Sequence, residues 1–301
     1  MSDSHSSSFF GVLNVVDYDY KSTPAARKAA FEIRAILEEL RDFTAVSAVS
    51  RCFPYDYRYS WPELAKQRFS SQTVYYNRCK NKNACPVCSR AADAKARRNF
   101  SYQFDRFVHE GYKPYWQTFE AGFKPGLDSK GRIKTLNELW RMLQQVKSFT
   151  RQLKSCKALS LRVTEFTYFE GTWTPHFHVV WLFGPKVRQG AIDSFLSGGS
   201  KLWRKKQANH PNCVASSRAL HSGQLDPSST RPLAHYLFKC MFLKVDEHGI
   251  FVSQFLKTPM EYLAGFAKTG ELEYLEAWLE YEHTSRRIRR YKFSKAWKGM
   301  F

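Results

Sequence analysis

Residues 158–183 read ALSLRVTEFTYFEGTWTPHFHVVWLF. They form two runs rich in β-branched and aromatic residues, separated by a short break around Gly171, and such runs read as paired strands. The first strand is expected over 158–168 and the second over 175–183. Side chains alternate across a strand, so His176 and His178 leave one face while Phe177 and Val179 enter the other. Two imidazoles on one face are a ready chelate for a metal ion. A two-residue turn at Gly171-Thr172 would set Glu165 opposite His178, on the same face. A slip by one residue would put Phe166 there instead. The expected site is therefore Glu165, His176 and His178 around one divalent ion. Similar donors serve iron oxygenases and hydrolytic zinc, so the ligand set alone does not choose the reaction.

Outward from this hairpin the pattern is α+β. A strand is expected at Tyr115–Phe119 and a long helix over 135–153, with Leu136, Leu139, Trp140, Leu143, Val146 and Phe149 at helical spacing. Helices follow around 190–207, 231–243 and 270–283, with a strand near 213–221. Upstream, Thr23-Pro24 offers a cap and an N1 proline for a helix to about Asp42. Residues 51–76 are rich in aromatics, which serve either as core or as stacking platforms for bases. No internal repeat occurs. The expected division is residues 1–99 as arm, helix and cysteine region, 100–245 as the core carrying the histidines, and 246–301 as a helical basic extension.

Composition narrows the function. The 301 residues carry 47 Lys and Arg against 27 Asp and Glu, a net charge of +20, with 43% hydrophobic and 16% aromatic residues. A core is available and global disorder is excluded, while the charge excess calls for a polyanionic partner. No apolar run approaches the roughly 18 residues of a membrane span, and MSDSHSSSFF lacks the features of a signal peptide. A cytoplasmic nucleic-acid protein is the first expectation.

The seven cysteines are odd in number and clustered once, at Cys85-Pro86-Val87-Cys88. In a reducing compartment such a cluster is more often a metal site than a disulfide framework. Cys79, Cys85 and Cys88 are expected to hold a structural Zn²⁺; Cys52 is offered as the fourth ligand, which the spacing does not fix. Basic residues surround the cluster: Arg78, Lys80, Lys82, Arg90, Lys95, Arg97 and Arg98. At the other end Arg286, Arg287, Arg289, Arg290 and Lys292 interleave with Tyr291, Phe293 and Trp297, a pattern that suits phosphate binding with base stacking.

Residues 231–239, RPLAHYLFK, read as the start of a helix in which Tyr236 and Lys239 share a face. A neutral phenol, with a pKa of about 10, is a weak nucleophile. A neighbouring ammonium favours its ionised form and can hold a phosphate oxygen. A divalent ion on the scissile phosphate would complete the requirements for attack at phosphorus.

In this order, the CPVC cluster, TEFTY at 164–168, TPHFHVVW at 174–181, HYLFK at 235–239 and KTPMEYLAGFAKTGELEYLEAWLEYE at 257–282 resemble plasmid rolling-circle replication initiators of the HUH endonuclease superfamily. The resemblance spans about residues 75–301. It implies a five-stranded antiparallel sheet flanked by helices and site-specific nicking of one strand at a plasmid origin. It further implies Mg²⁺ or Mn²⁺ on His176, His178 and Glu165, with Tyr236 as nucleophile and Lys239 as the motif lysine. The products would be a phosphotyrosine ester and a free 3′-hydroxyl primer, with host helicase and polymerase as partners. No GxxxxGK phosphate loop occurs in the chain, so strand separation must come from elsewhere. Where some relatives carry a second tyrosine this chain has Cys240, and where others carry a glutamate it has Pro232. The competing readings are a transposase of the same superfamily and a non-enzymatic zinc-knuckle DNA-binding regulator.

Overall fold

The computed structural model describes residues 81–214, 220–238, 258–294 and 297. The expectations for the arm, the helix at 24–42, the aromatic stretch 51–76, Cys52, Cys79, Lys239 and Cys240 lie outside the described residues. In chain order the elements are α1 (Pro86–His109), β1 (Lys113–Phe119), β2 (Gly122–Phe123), α2 (Ser129–Gln144), α3 (Lys147–Ser155), β3 (Leu159–Phe169) and β4 (Thr172–Phe183). There follow α4 (Gln189–Ala208), β5 (Cys213–Val214), β6 (Ser222–Gln224), α5 (Thr230–Leu237), α6 (Pro259–Thr269), α7 (Leu272–Ser285) and β7 (Tyr291–Phe293).

The fold is α+β, built on a five-stranded sheet of order β6-β1-β4-β3-β7, every pair of it antiparallel. β3 and β4 form its central hairpin, and their apolar alternation buries both faces. On one face Phe177, Val179, Trp181 and Phe183 meet Leu136, Leu139 and Trp140 of α2, Phe149 of α3 and Phe195 of α4. Edge-to-face ring pairs lock this layer, Trp140–Phe177 at 5.6 Å and Trp181–Phe195 at 5.0 Å. On the other face Leu161, Val163, Val180 and Leu182 meet Phe100, Phe104 and Phe107 of α1 and Leu233 and Leu237 of α5. Each such side chain, fully buried, stabilises the fold by about 1.5–3 kcal/mol before chain entropy is charged against it.

Several expectations need correction. The helix expected over 135–153 begins earlier, at Ser129, where the Asp128 carboxylate accepts the Gly131 N–H at 2.7 Å. It also divides, because Val146 is extended at ψ 116° and restarts the chain as α3. The break turns Phe149 into the core against Phe195. The strand expected near 213–221 is two separate pieces. Cys213–Val214 pairs with β2, and Ser222–Gln224 is an edge strand of the main sheet against β1.

The basic extension is not a separate part. Its Tyr291–Phe293 is β7, paired with β3, and Trp297 is fully buried against Phe100 and Phe107. Arg290, expected on DNA, is 3% exposed and its Nη2 lies 3.2 Å from Asp93 Oδ2 on α1. The Tyr291 hydroxyl donates to the other Asp93 oxygen. Burial pushes the Asp93 carboxyl up, against the pull of Arg290. A division at residue 99/100 would cut α1, and one at 245/246 would remove β7 from its sheet.

One helix, α6, carried an unread signal in the sequence. Thr258-Pro259-Met260-Glu261 is a capping box with proline at N1. The Thr258 hydroxyl accepts from the Glu261 N–H at 3.3 Å and Glu261 Oε2 accepts from the Thr258 N–H at 2.7 Å. α6 and α7 then pack their Tyr262 and Tyr281 on Trp173 at the turn end of the hairpin. Among the described residues no helix is long and apolar enough to cross a membrane.

Candidate metal centre and its tyrosine

The hairpin turn lies at Glu170-Gly171, since Phe169 pairs with Thr172. Both central residues have positive φ, 48° and 73°, as a type I′ turn requires. The turn is one residue earlier than expected, so Glu165 pairs with His176, and it is Val163 that faces His178. That displaces the register by two, an even number, and leaves Glu165 on the histidine face. The expected grouping survives although the expected pairing does not.

Three side chains converge. His178 Nε2 is 2.8 Å from Glu165 Oε2, His176 Nε2 is 3.1 Å from His178 Nε2, and His176 Nε2 is 3.6 Å from Glu165 Oε2. Among the described residues this is the one group of three such donors. The separations match a shared cation. Bonds of about 2.1 Å subtend edges of roughly 3.0 Å in an octahedron and roughly 3.4 Å in a tetrahedron. The three donors occupy one side of such an ion and leave its other positions open. Side-chain exposures of 9–14% keep the group at the edge of solvent. One carboxylate and two neutral imidazoles carry a charge of about −1, so a divalent ion would leave the centre net positive, suited to a phosphate.

Tyr236 arrives from a third segment. α5 anchors on α1 and the sheet through Leu233, Ala234 and Leu237, all nearly buried, and Phe238 packs on Phe100 at 5.8 Å. That leaves Tyr236 half-buried, its ring 5.4 Å from the His178 ring in an edge-to-face contact at 69°. Asp226, the nearest carboxylate upstream, accepts the Ser228 N–H at 2.9 Å and caps the turn that leads into α5.

Other expected residues fall elsewhere. Cys85 and Cys88 are buried at the start of α1, and Cys85 Sγ accepts the Cys88 N–H at 3.4 Å. They pack in the core with Ala84 and Tyr281. Arg286, Arg287, Arg289 and Lys292 are exposed, as are Lys95 and Arg98 on α1. On the far side of the sheet from the histidines, Arg162 is buried with its guanidinium 4.1 Å over the Phe177 ring and 5.3 Å over Trp140. Burial lowers its pKa to about 10.

One residue of the site was missed by the sequence reading. Thr118, on β1, places Oγ1 3.1 Å from His178 Nδ1. Nothing local in YWQTF signals this, because the contact depends on the pairing of β1 with β4. Comparison of the chain with protein-family models, with curated proteins and with solved structures found no match in any of the three.

Proposed function

We propose that this protein is a metal-dependent endonuclease and strand transferase that nicks one DNA strand through Tyr236, as in rolling-circle replication initiators of the HUH superfamily. The observation that carries this reading is the meeting of Tyr236 with the Glu165–His176–His178 group, from three separate stretches of chain. A hydrolytic or redox use of the same donors would not call for a phenol there.

Glu165, His176 and His178 would hold Mg²⁺ or Mn²⁺ through Oε2 and two Nε2 atoms. When bound, the ion supplies Lewis-acid polarisation of the scissile phosphate. The Tyr236 oxygen attacks phosphorus, forming a phosphotyrosyl bond to the 5′ phosphate of the strand segment downstream of the break. The P–O3′ bond breaks and its oxygen takes up a proton, giving the 3′-hydroxyl primer. The phenolic proton is lost to solvent. Lys239, three residues on in sequence, would supply an ammonium to favour the phenolate and steady a phosphate oxygen. Arg286, Arg287, Arg289, Lys292, Lys95 and Arg98 offer exposed cations for the backbone of a plasmid origin. Cys85 and Cys88 supply half of a structural Zn²⁺ site that Cys79 and Cys52 would complete.

The test is incubation with a labelled single-stranded origin oligonucleotide and Mn²⁺, then denaturing electrophoresis. A covalent band is expected with the native protein, absent with chelator and absent in Tyr236→Phe, which still retards the DNA. Retardation without any covalent band contradicts the enzyme and leaves a DNA-binding regulator.

A further inference from the structure

His178 is gripped at both ring nitrogens. Its Nε2 faces Glu165 Oε2 at 2.8 Å and its Nδ1 faces Thr118 Oγ1 at 3.1 Å. Thr118 is 4% exposed, sits directly opposite His178 in the β1–β4 ladder, and donates its own N–H to the His221 carbonyl at 2.9 Å. Its backbone is therefore fixed, and a β-branched side chain has little freedom about χ1.

We propose that Thr118 is a positioning residue of the cation site, setting the ring orientation of His178 and partnering its Nδ1 in either tautomer. The inference rests on reading Glu165, His176 and His178 as that site. To bind a cation through Nε2, His178 must offer a lone pair there and carry its proton on Nδ1. Thr118 Oγ1 accepts that proton in a hydrogen bond. When no cation is bound, Nε2–H donates to Glu165 and the Thr118 hydroxyl turns round to donate to Nδ1. A hydroxyl can do both, because it is donor and acceptor at once. A carbonyl could only accept, and would favour a single tautomer. The hydroxyl thus holds the ring in one plane through loading and release. Solvent cannot substitute at so buried a position.

The test compares Thr118→Val, which keeps the shape and removes the hydrogen bond, with Thr118→Ser, which keeps the hydroxyl. Titration of the purified full chain with Mn²⁺, followed by electron paramagnetic resonance, should show affinity falling about 10- to 100-fold in Thr118→Val. Thr118→Ser should recover most of that loss, with thermal midpoints similar in all three proteins. Native Mn²⁺ affinity in Thr118→Val would overturn the proposal, as would a loss in Thr118→Ser equal to that in Thr118→Val. Long-range ¹H–¹⁵N spectra of the metal-free protein give a second readout. The His178 Nδ1 signal should shift in Thr118→Val, which removes its hydrogen bond, and stay near native in Thr118→Ser; identical spectra in the native chain and Thr118→Val would overturn the assignment. If the native chain shows no saturable Mn²⁺ binding, the metal-site reading fails, and those spectra still decide the role of Thr118.

Discussion

The β3–β4 hairpin and the segment 81–93 both present metal-ligating side chains at short spacing, yet the fold uses them differently. On the hairpin, strand alternation and cross-strand pairing aim three donors at one point, with exposures that keep them near solvent. At the head of α1, Cys85 and Cys88 turn inward and share one N–H···S contact, while their neighbours brace the C-terminal part of the chain. Asn83 Nδ2 donates to the Ser285 and Ile288 carbonyls, the second at 2.8 Å, and so caps the end of α7. Asn81 reaches Glu282 at 2.9 Å, and Asp93 takes Arg290 and Tyr291. The lesson is that ligand-type residues on a paired strand share a face by geometry, whereas the same types at a loop-to-helix junction are placed by what packs against them. The first region gathers its donors at one point near solvent; the second also ties the head of α1 to residues 282–291.

Mutation should separate the two roles. The largest effect is expected for His176→Ala with His178→Ala. Mn²⁺ binding and covalent adducts should disappear while the urea midpoint changes little; adducts at native yield would break the contrast at its functional end. Asp93→Ala should do the opposite. It leaves a buried guanidinium without its carboxylate, at a cost of about 3–5 kcal/mol. That is a large part of the roughly 5–15 kcal/mol that holds an ordinary domain together. Urea unfolding should reveal the loss and Mn²⁺ affinity, measured below the transition, should not move; an unchanged midpoint would remove the bracing role. Asn83→Ala should follow at about 1–2 kcal/mol, the cost of an unmade buried hydrogen bond, with a correspondingly smaller urea shift.

Arg162→Met sharpens the contrast from the hairpin side. Native Arg162 is a buried cation facing two rings, so the variant should be more stable by about 1–2 kcal/mol once the cation–π contacts are subtracted. The sign with pH is fixed by the lowered pKa of about 10 in the fold. Above that pH the folded native chain gives up the proton before the unfolded chain does, so native stability rises. The advantage of the variant should be full below pH 10 and shrink above it, as thermal melts at pH 8 and pH 10.5 would show. A gap that widens with pH would contradict the account.

What the sequence made legible follows the same division. The hairpin donors were readable because a period of two assigns faces without knowing the partner strand, and an error of two in register leaves those faces unchanged. Thr118 was not readable, since its role arises from a pairing between residues 60 apart in sequence. The end of the chain misled for a related reason. Tyr291-Lys292-Phe293 is too short to show periodicity, so interleaved rings and cations looked like a binding tail. Arg290 is drawn inside by Asp93, 197 residues away, and Trp297 by the phenylalanines of α1.

The most direct test of the central claim is mass spectrometry of the DNA-linked peptide after trypsin and nuclease treatment. A nucleotide adduct is expected on the tryptic peptide 219–239, in which Tyr236 is the only tyrosine, formed with Mn²⁺ and not with chelator. An adduct on any other peptide, or none under conditions where the strand is cut, would contradict that claim.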